Sequence, residues 1–378
     1  KRRKLRSATR FGESAEPAYG RQRGSDKEIP MRFGLFGSAA ARRGSGEFDS
    51  SEGFRDFIDY NVEAEALGFH GTFVVEHHFT GFGQVSATLN LLTWLGARTR
   101  TLRLGTAVMV LPWHNPVLLA EQAATLDLLS GGRLDFGIGS GYRYNEFLGF
   151  DVGMDEARGK FEESIGVILK AWTSEERFSH KGKYWTFNDV IVEPPPFRKP
   201  HPVVWMGAGS DRSIRDVARR GFNLLLGQYA SPADVAHNIA VYREAVEAAG
   251  EKWDSMRVGV TRAFFVAESE RECEEALDRR LANRLRQLKL ATTPDGTVLG
   301  GPDRATGDPI EINLNSAIYG APEEIARKLR DLRAAGVGYV LMNGGGSGGG
   351  ERGRRSLRRF AREVMPAFME EQAEAADS

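Results

Sequence analysis

The sequence predicts an α/β protein, an eight-stranded (β/α)8 TIM barrel with insertions, and three observations predict it. From Met31 onward, short apolar stretches of strand length alternate with segments of helical periodicity, the grammar of repeated βαβ units. LRLGTAVMVL at 102–111 is apolar on both alternating sets, as expected of a strand covered on both faces in a parallel sheet. Eight such strands can be counted with about as many helices, enough to close a barrel; a doubly wound open sheet is the rival.

The elements follow in order. MRFGLFG at 31–37 is the first strand, followed by a helix near 52–67 and the strand GTFVV. A helix near 85–97, the strand LRLGTAVMVLP, a helix near 116–129 and the strand RLDFGIGS come next. A fourth helix near 156–172 carries Phe161, Ile165, Ile168, Leu169 and Trp172 at helical spacing, so that stripe should face a core. PVVWMGA, a helix near 211–219 and FNLLLGQ continue the alternation, and RVGVTRAFFVA and VGYVLMN supply strands seven and eight. Ile325, Leu329 and Leu332 form another helical stripe, and a last helix is expected near 353–371. Gly68, Gly221 and Gly336 each close a helical stretch before a strand, where a left-handed cap is expected. Two stretches break the cadence. At 175–200, after the fourth helix, KYWTF and VIVEPPPF suggest a hairpin leading into a proline-rich connector; at 289–316, after strand seven, a long glycine-rich segment suggests a lid. GGGSGGG at 344–350 reads as a flexible low-complexity run beside the barrel mouth.

Composition narrows the function. With 378 residues, 41% of them hydrophobic, the chain can fill a sizeable core, and residues 31–378 read as one barrel domain. Formal charge is zero, so no global field draws the chain to nucleic acid or to an anionic membrane, and small neutral partners are expected. Uncharged or aromatic substrates are weakly favoured by that balance and by the aromatic content. Cys273 is the only cysteine, which excludes an internal disulfide and fits a reducing cytoplasm. Residues 1–30 are basic, poor in apolar groups and without the apolar middle of a secretory signal; they read as a flexible extension, with a nucleic-acid arm as the alternative.

VVEHHFTGFG at 74–83 carries the sharpest signal, an apolar strand running into Glu76, His77 and His78. In a barrel, chemistry collects at the carboxyl ends of the strands, which favours catalysis over loop histidines that merely satisfy hydrogen bonds. Neighbouring strand residues point to opposite faces, and no other histidine supplies a paired helical spacing, so no metal is expected. Two glycine clusters, GIGSGY at 137–142 and WMGAGSDRS at 205–213, each follow a strand. Their amides can approach an anion and Ser210 can cap the next helix; neither is a full dinucleotide fingerprint, so together they suggest a single phosphate. Phe36, Phe82, Trp113 and Tyr229 either line a cavity for a flat ligand or fill the barrel.

Together these residues resemble the luciferase-like flavin-dependent monooxygenases, closely over EHHFTGFG and GTAVMVLP. The likeness is collinear over about residues 31–270, with a looser recurrence in GAPEEIARKLRDLRAAGV and RRSLRRFAREVMPAF. It implies a (β/α)8 barrel with insertions and reduced FMN as cofactor, with dioxygen as co-substrate. Carried over residue by residue, His77 matches the catalytic histidine, flanked by Glu76 and His78. Ala107 and Val108 match a non-prolyl cis peptide against which the flavin ring rests. Gly207, Ala208, Gly209 and Ser210 match the phosphate-binding turn, with Ser140 and Tyr142 nearby, and residues 289–316 match the mobile lid. Where bacterial luciferases carry a cysteine and then an arginine after the fourth strand, this chain has Gly139 and Ser140, so light emission is not implied.

The expectation is therefore a two-component monooxygenase that receives reduced FMN from a separate flavin reductase and oxygenates a small organic substrate held near Phe36, Trp113 and Tyr229. His77 would exchange a proton and Glu76 would orient it. A homodimer is implied by the resemblance. The alternatives are a deazaflavin-dependent hydride transferase on the same barrel, a non-catalytic flavin-binding relative, and a metal-dependent hydrolase.

Overall fold

The computed structural model describes residues 30–41, 51–297, 308–344 and 350–369. The expectations for residues 1–29, for the centre of the lid segment at 298–307 and for 345–349 lie outside these residues.

Eight parallel strands close a barrel. In chain order the elements run β1 (Arg32–Gly37), α1 (Glu52–Ala66), β2 (Gly71–Val74), α2 (Thr88–Arg98), β3 (Arg103–Thr106), β4 (Met109–Val110), α3 (Pro116–Leu129) and β5 (Leu134–Gly139). They continue with α4 (Tyr144–Gly149), α5 (Ala157–Thr173), a hairpin of β6 (Phe178–Lys181) and β7 (Thr186–Val190), β8 (Val203–Gly207), α6 (Asp211–Arg219) and β9 (Asn223–Leu226). The rest are α7 (Pro232–Ala248), β10 (Val258–Val266), α8 (Glu270–Leu290), α9 (Pro309–Asn315), β11 (Ala317–Gly320), α10 (Pro322–Ala334), β12 (Tyr339–Asn343) and α11 (Gly350–Glu363). Around the barrel the order is β1-β2-β3-β5-β8-β9-β10-β12, and pairing of β12 with β1 closes it. An open doubly wound sheet is thereby excluded.

The barrel interior is filled by rings. Phe73, Trp205, Leu225, Tyr339 and Leu341 pack together inside it, with Phe73 edge-on to both Trp205 and Tyr339 at 5.5 and 6.1 Å. Such a cluster needs bare backbone opposite it. A Cβ on Gly105 would stand 2.4 Å from the Phe73 ring, so glycine on β3 makes room for the aromatic on β2. Outside the barrel, Phe161, Ile165, Ile168 and Trp172 of α5 are buried as their spacing predicts, with Leu169 half-buried beside them, and Ile325, Leu329 and Leu332 of α10 are buried too. Gly68, Gly221 and Gly336 all take positive φ after their helices. No helix among the described residues is long and apolar enough to cross a membrane.

Four details depart from the sequence expectation. The third strand is not continuous: it breaks at the cis peptide from Ala107 to Val108, which the resemblance implies, and β4 beyond it pairs with β5 alone. The hairpin forms one step upstream of KYWTF and VIVEPPPF, between β6 and β7. The Glu163 carboxylate explains this, since it accepts the backbone N–H groups of Lys183, Tyr184 and Trp185 at 3.0, 3.0 and 2.9 Å and so makes KYW the turn. VIVEPPPF then serves as connector, with cis bonds before Pro194 and Pro200. Within the segment at 289–316, residues 309–315 are helical, and β11 follows as an unforeseen parallel strand beside the upper half of β10.

Candidate active site

At the carboxyl end of β2 the chain leaves the barrel as Val75, Glu76, His77 and His78, and each side chain meets a different environment. Glu76 is 1% exposed. Its Oε2 accepts the backbone N–H of Val110 at 2.7 Å, while Oε1 lies 2.7 Å from Nε2 of His114 and 3.1 Å from Nε2 of His78. Burial alone would raise its pKa, but the hydrogen bonds from His114, His78 and Val110 hold it below the usual carboxylate value. Glu76 is thus a buried anion that ties β2 to β4 and to two imidazoles.

His77 is oriented by another residue. Its Nδ1 lies 3.0 Å from Oε1 of Glu146, which is itself buried on α4 and also accepts the backbone N–H of His78 at 2.9 Å. The expectation that Glu76 orients His77 is corrected here, because that carboxylate is consumed by His114, His78 and Val110. Burial pushes the His77 pKa below its ordinary value, Glu146 counters, and the nearby Arg143 guanidinium adds to the lowering. A neutral ring that donates Nδ1–H to Glu146 keeps Nε2 as an acceptor.

A cavity of about 1070 Å³ opens over this end of the barrel. Its wall includes Phe36, Glu76, His77, Ala107, Val108, Ser140, Tyr142, Tyr229 and the whole turn Gly207, Ala208, Gly209 and Ser210, so most of the predicted residues converge. His78 and Trp113 do not belong to that wall. The His78 ring lies edge-on to Phe150 at 4.7 Å, and His78 lines a second hollow between α1 and α2. The Trp113 indole stacks on Phe150 at 5.3 Å and meets Phe147 edge-on at 4.9 Å, behind Gly141. Both pack against Phe150, at the end of the helix α4 that carries Glu146. Phe82 lies away from the wall as well, under the Arg286 guanidinium at 5.8 Å. Ser210 caps α6, with its hydroxyl accepting from the Ser213 N–H at 3.4 Å while Ser213 reciprocates.

Glu146, His114 and Arg143 were missed as site residues. His114 lies in WHNP at 113–116, where the sequence shows it no partner, and Glu146 and Arg143 sit in a segment, RYNEFLGF, without periodicity. Their roles come from contacts across the fold, which no local pattern records.

A (β/α)8 barrel with a buried histidine–glutamate pair at its mouth defines the class of protein. The sequence profile of the luciferase-like monooxygenases matches residues 31–338, and the chain belongs to that family, an enzyme of the flavin-dependent monooxygenase type. It is 26% identical over 355 residues to the oxygenase component of a flavin-dependent trigonelline monooxygenase from Acinetobacter baylyi, covering 90% of this chain and 96% of the relative. It is 27% identical to an FMNH(2)-dependent dimethylsulfone monooxygenase from Pseudomonas putida, covering 83% and 88% of the two chains. Among solved structures, a monooxygenase from Streptomyces bottropensis superimposes with a TM-score of 0.77 at 27% identity, over 89% of this chain and 100% of that one.

Proposed function

We propose that this chain is the oxygenase component of a two-component system, in which reduced FMN from a separate flavin reductase and dioxygen together oxygenate a small organic substrate. The observation that carries the reading is the shared wall: His77, held by Glu146, borders the same cavity as the cis Ala107–Val108 peptide and the Ser210-capped end of α6.

The residues fit the cofactor. At Gly207 an added Cβ would meet nothing closer than Val108 Cγ1 at 3.9 Å, so bare backbone faces the cavity there and a flat ring can lie against it. Ser210, Ser213, Arg158 and Arg212 also border the cavity, a donor set suited to one phosphate at the N-terminus of a nine-residue helix. The volume exceeds that of most single-ligand pockets, which leaves room for a second molecule. When bound, reduced FMN supplies the electrons that activate dioxygen.

The chain's own residues do the rest. Neutral His77 accepts a proton at Nε2 or returns it, and Glu146 fixes the tautomer that leaves Nε2 available. Glu76 keeps the loop after β2 in place through His114 and Val110. Phe36, Tyr229, Phe265 and Tyr319 give the cavity apolar walls that limit water near the reacting atoms. A homodimer is part of the reading, supported by the apolar side chains of Trp94, Leu118 and Leu129 that stay exposed on α2 and α3.

Oxygen uptake by the purified protein supplied with chemically reduced FMN tests the proposal. Uptake should depend on the flavin and, across a panel of organic substrates, yield oxygenated product. No uptake, or a deazaflavin found by mass spectrometry in the native protein, would refute it.

A further inference from the structure

Arg143 is among the largest fully buried side chains of the molecule, 2% exposed, and it borders the cavity. It is the residue that precedes α4, three positions before the Glu146 that holds His77. Its Nη2 donates to Oε1 of Gln287 on α8 at 3.3 Å, and its guanidinium carbon lies 5.9 Å from the centre of the Tyr142 ring. Nε and Nη1 are buried and find no acceptor among the described residues. Folding has stripped this guanidinium of water without setting a carboxylate against it among the described residues. Two further arginines, Arg280 and Arg284 of α8, are buried over Tyr229 on the same cavity, at 5.0 and 3.8 Å from its ring centre. Arg280 also donates to Asn313 and Ser316, so it is held in place by the protein.

We propose that this cationic side of the cavity selects an organic carboxylate as substrate, with Arg143 receiving the carboxylate and the rest of the molecule lying toward His77 and Tyr229. The inference rests on the monooxygenase reading for the reaction, and replaces the uncharged substrate that overall charge suggests. Net charge averages over the whole surface; a binding cavity answers to the few groups that face it. The cofactor's phosphate has its own donors at Ser210, Ser213, Arg158 and Arg212, which leaves Arg143, beside the His77–Glu146 pair, for the second molecule. A buried guanidinium with unmade hydrogen bonds discriminates strongly between an anion and its neutral isostere.

Isothermal titration tests this with matched pairs: benzoate and benzamide, indole-3-acetate and its amide, and hexanoate and hexanamide, each added to the protein alone and to the protein loaded with FMN. At least one carboxylate should bind tenfold or more tightly than its amide. Arg143→Gln should erase that preference, and Arg143→Lys, which keeps the charge, should retain part of it. Thermal melts establish that both variants fold. The idea is overturned if no carboxylate outbinds its amide, or if the preference survives in Arg143→Gln. It is equally overturned if Arg143→Gln instead lowers the preference for FMN over riboflavin, which would make Arg143 a ligand of the cofactor's phosphate. Failure of FMN to bind at all would count against the flavin reading, while the preference read on the protein alone would still decide this one.

Discussion

Both ends of the barrel bury charge, and they resolve it differently. At the amino-terminal end the Arg103 guanidinium grips Asp135 through Nε at 2.7 Å and Nη2 at 2.8 Å and reaches the Leu134 carbonyl at 3.2 Å. Above it the Phe73, Trp205 and Tyr339 rings close the interior. At the carboxyl end, Glu76 and Glu146 each serve more than one partner, His77 borders open volume, and Arg143 retains two nitrogens with no acceptor among the described residues. The amino-terminal end satisfies its buried ions internally, so removing either partner would strand the other. The carboxyl end leaves hydrogen-bonding capacity unmade beside a cavity, which costs the fold stability.

The comparison can be broken most directly at His77. His77→Ala should lower product formed per flavin consumed by about 10²-fold or more, in the range of general acid–base catalysis, while hydrogen peroxide release rises and FMN affinity stays within about twofold. Unchanged product yield would remove the histidine from the chemistry. At the other end the converse is expected. Asp135→Ala strands the Arg103 guanidinium and should cost about 3 kcal/mol of stability, the order seen when one partner of a buried pair is removed, with turnover per folded molecule unaffected. Denaturant midpoints and activity measured on the same sample check this, and a loss of turnover without a loss of stability would contradict the division of labour. Glu146→Gln should have a smaller effect, about tenfold on turnover. The amide still accepts the Nδ1–H of His77 but no longer stabilises the protonated ring, so the acid limb of the pH–rate profile should move to lower pH.

The same contrast explains what the sequence discloses. All eight barrel strands are legible because each is an apolar run bounded by turn residues, and local composition is enough to mark such a run. His77 is legible because a polar residue directly after a buried strand has few structural reasons to be there. Glu146 is not, since its meaning depends on a hydrogen bond spanning 69 residues. The hairpin is misplaced for a similar reason: Glu163 sits on α5, and from 20 residues away it decides which of two β-prone stretches becomes the turn. Arg143 is hidden more deeply, because an arginine in a loop ordinarily reads as a solvated surface charge. The fold buries it, with its Nη2 on Gln287 of α8, 144 residues away.

The smallest expected effect compares a histidine from each end. His70, just before β2, packs edge-on to Tyr339 at 5.5 Å, and burial together with the nearby Arg32 lowers its pKa to about 4. His77 is also lowered, chiefly by burial. For both groups the unfolded chain takes up a proton as pH falls through about 6.5, the ordinary histidine value, while the folded chain does not. Stability should therefore decline from about pH 6.5 downward, and for His70 the decline should end near pH 4, where the folded ring protonates too. Glu76 acts later: its pKa is held below the usual carboxylate value, so its contribution persists above that range and is lost as pH drops through its folded pKa. Melting temperatures from pH 7 to pH 4 should thus show a shallow loss that His70→Asn reduces while turnover at pH 7 stays intact. His77→Asn should reduce the same loss of stability and abolish coupled turnover. If both variants left the acid limb of stability unchanged, the two imidazoles would not be buried neutral groups, and the proton-accepting state assigned to His77 would lose its basis.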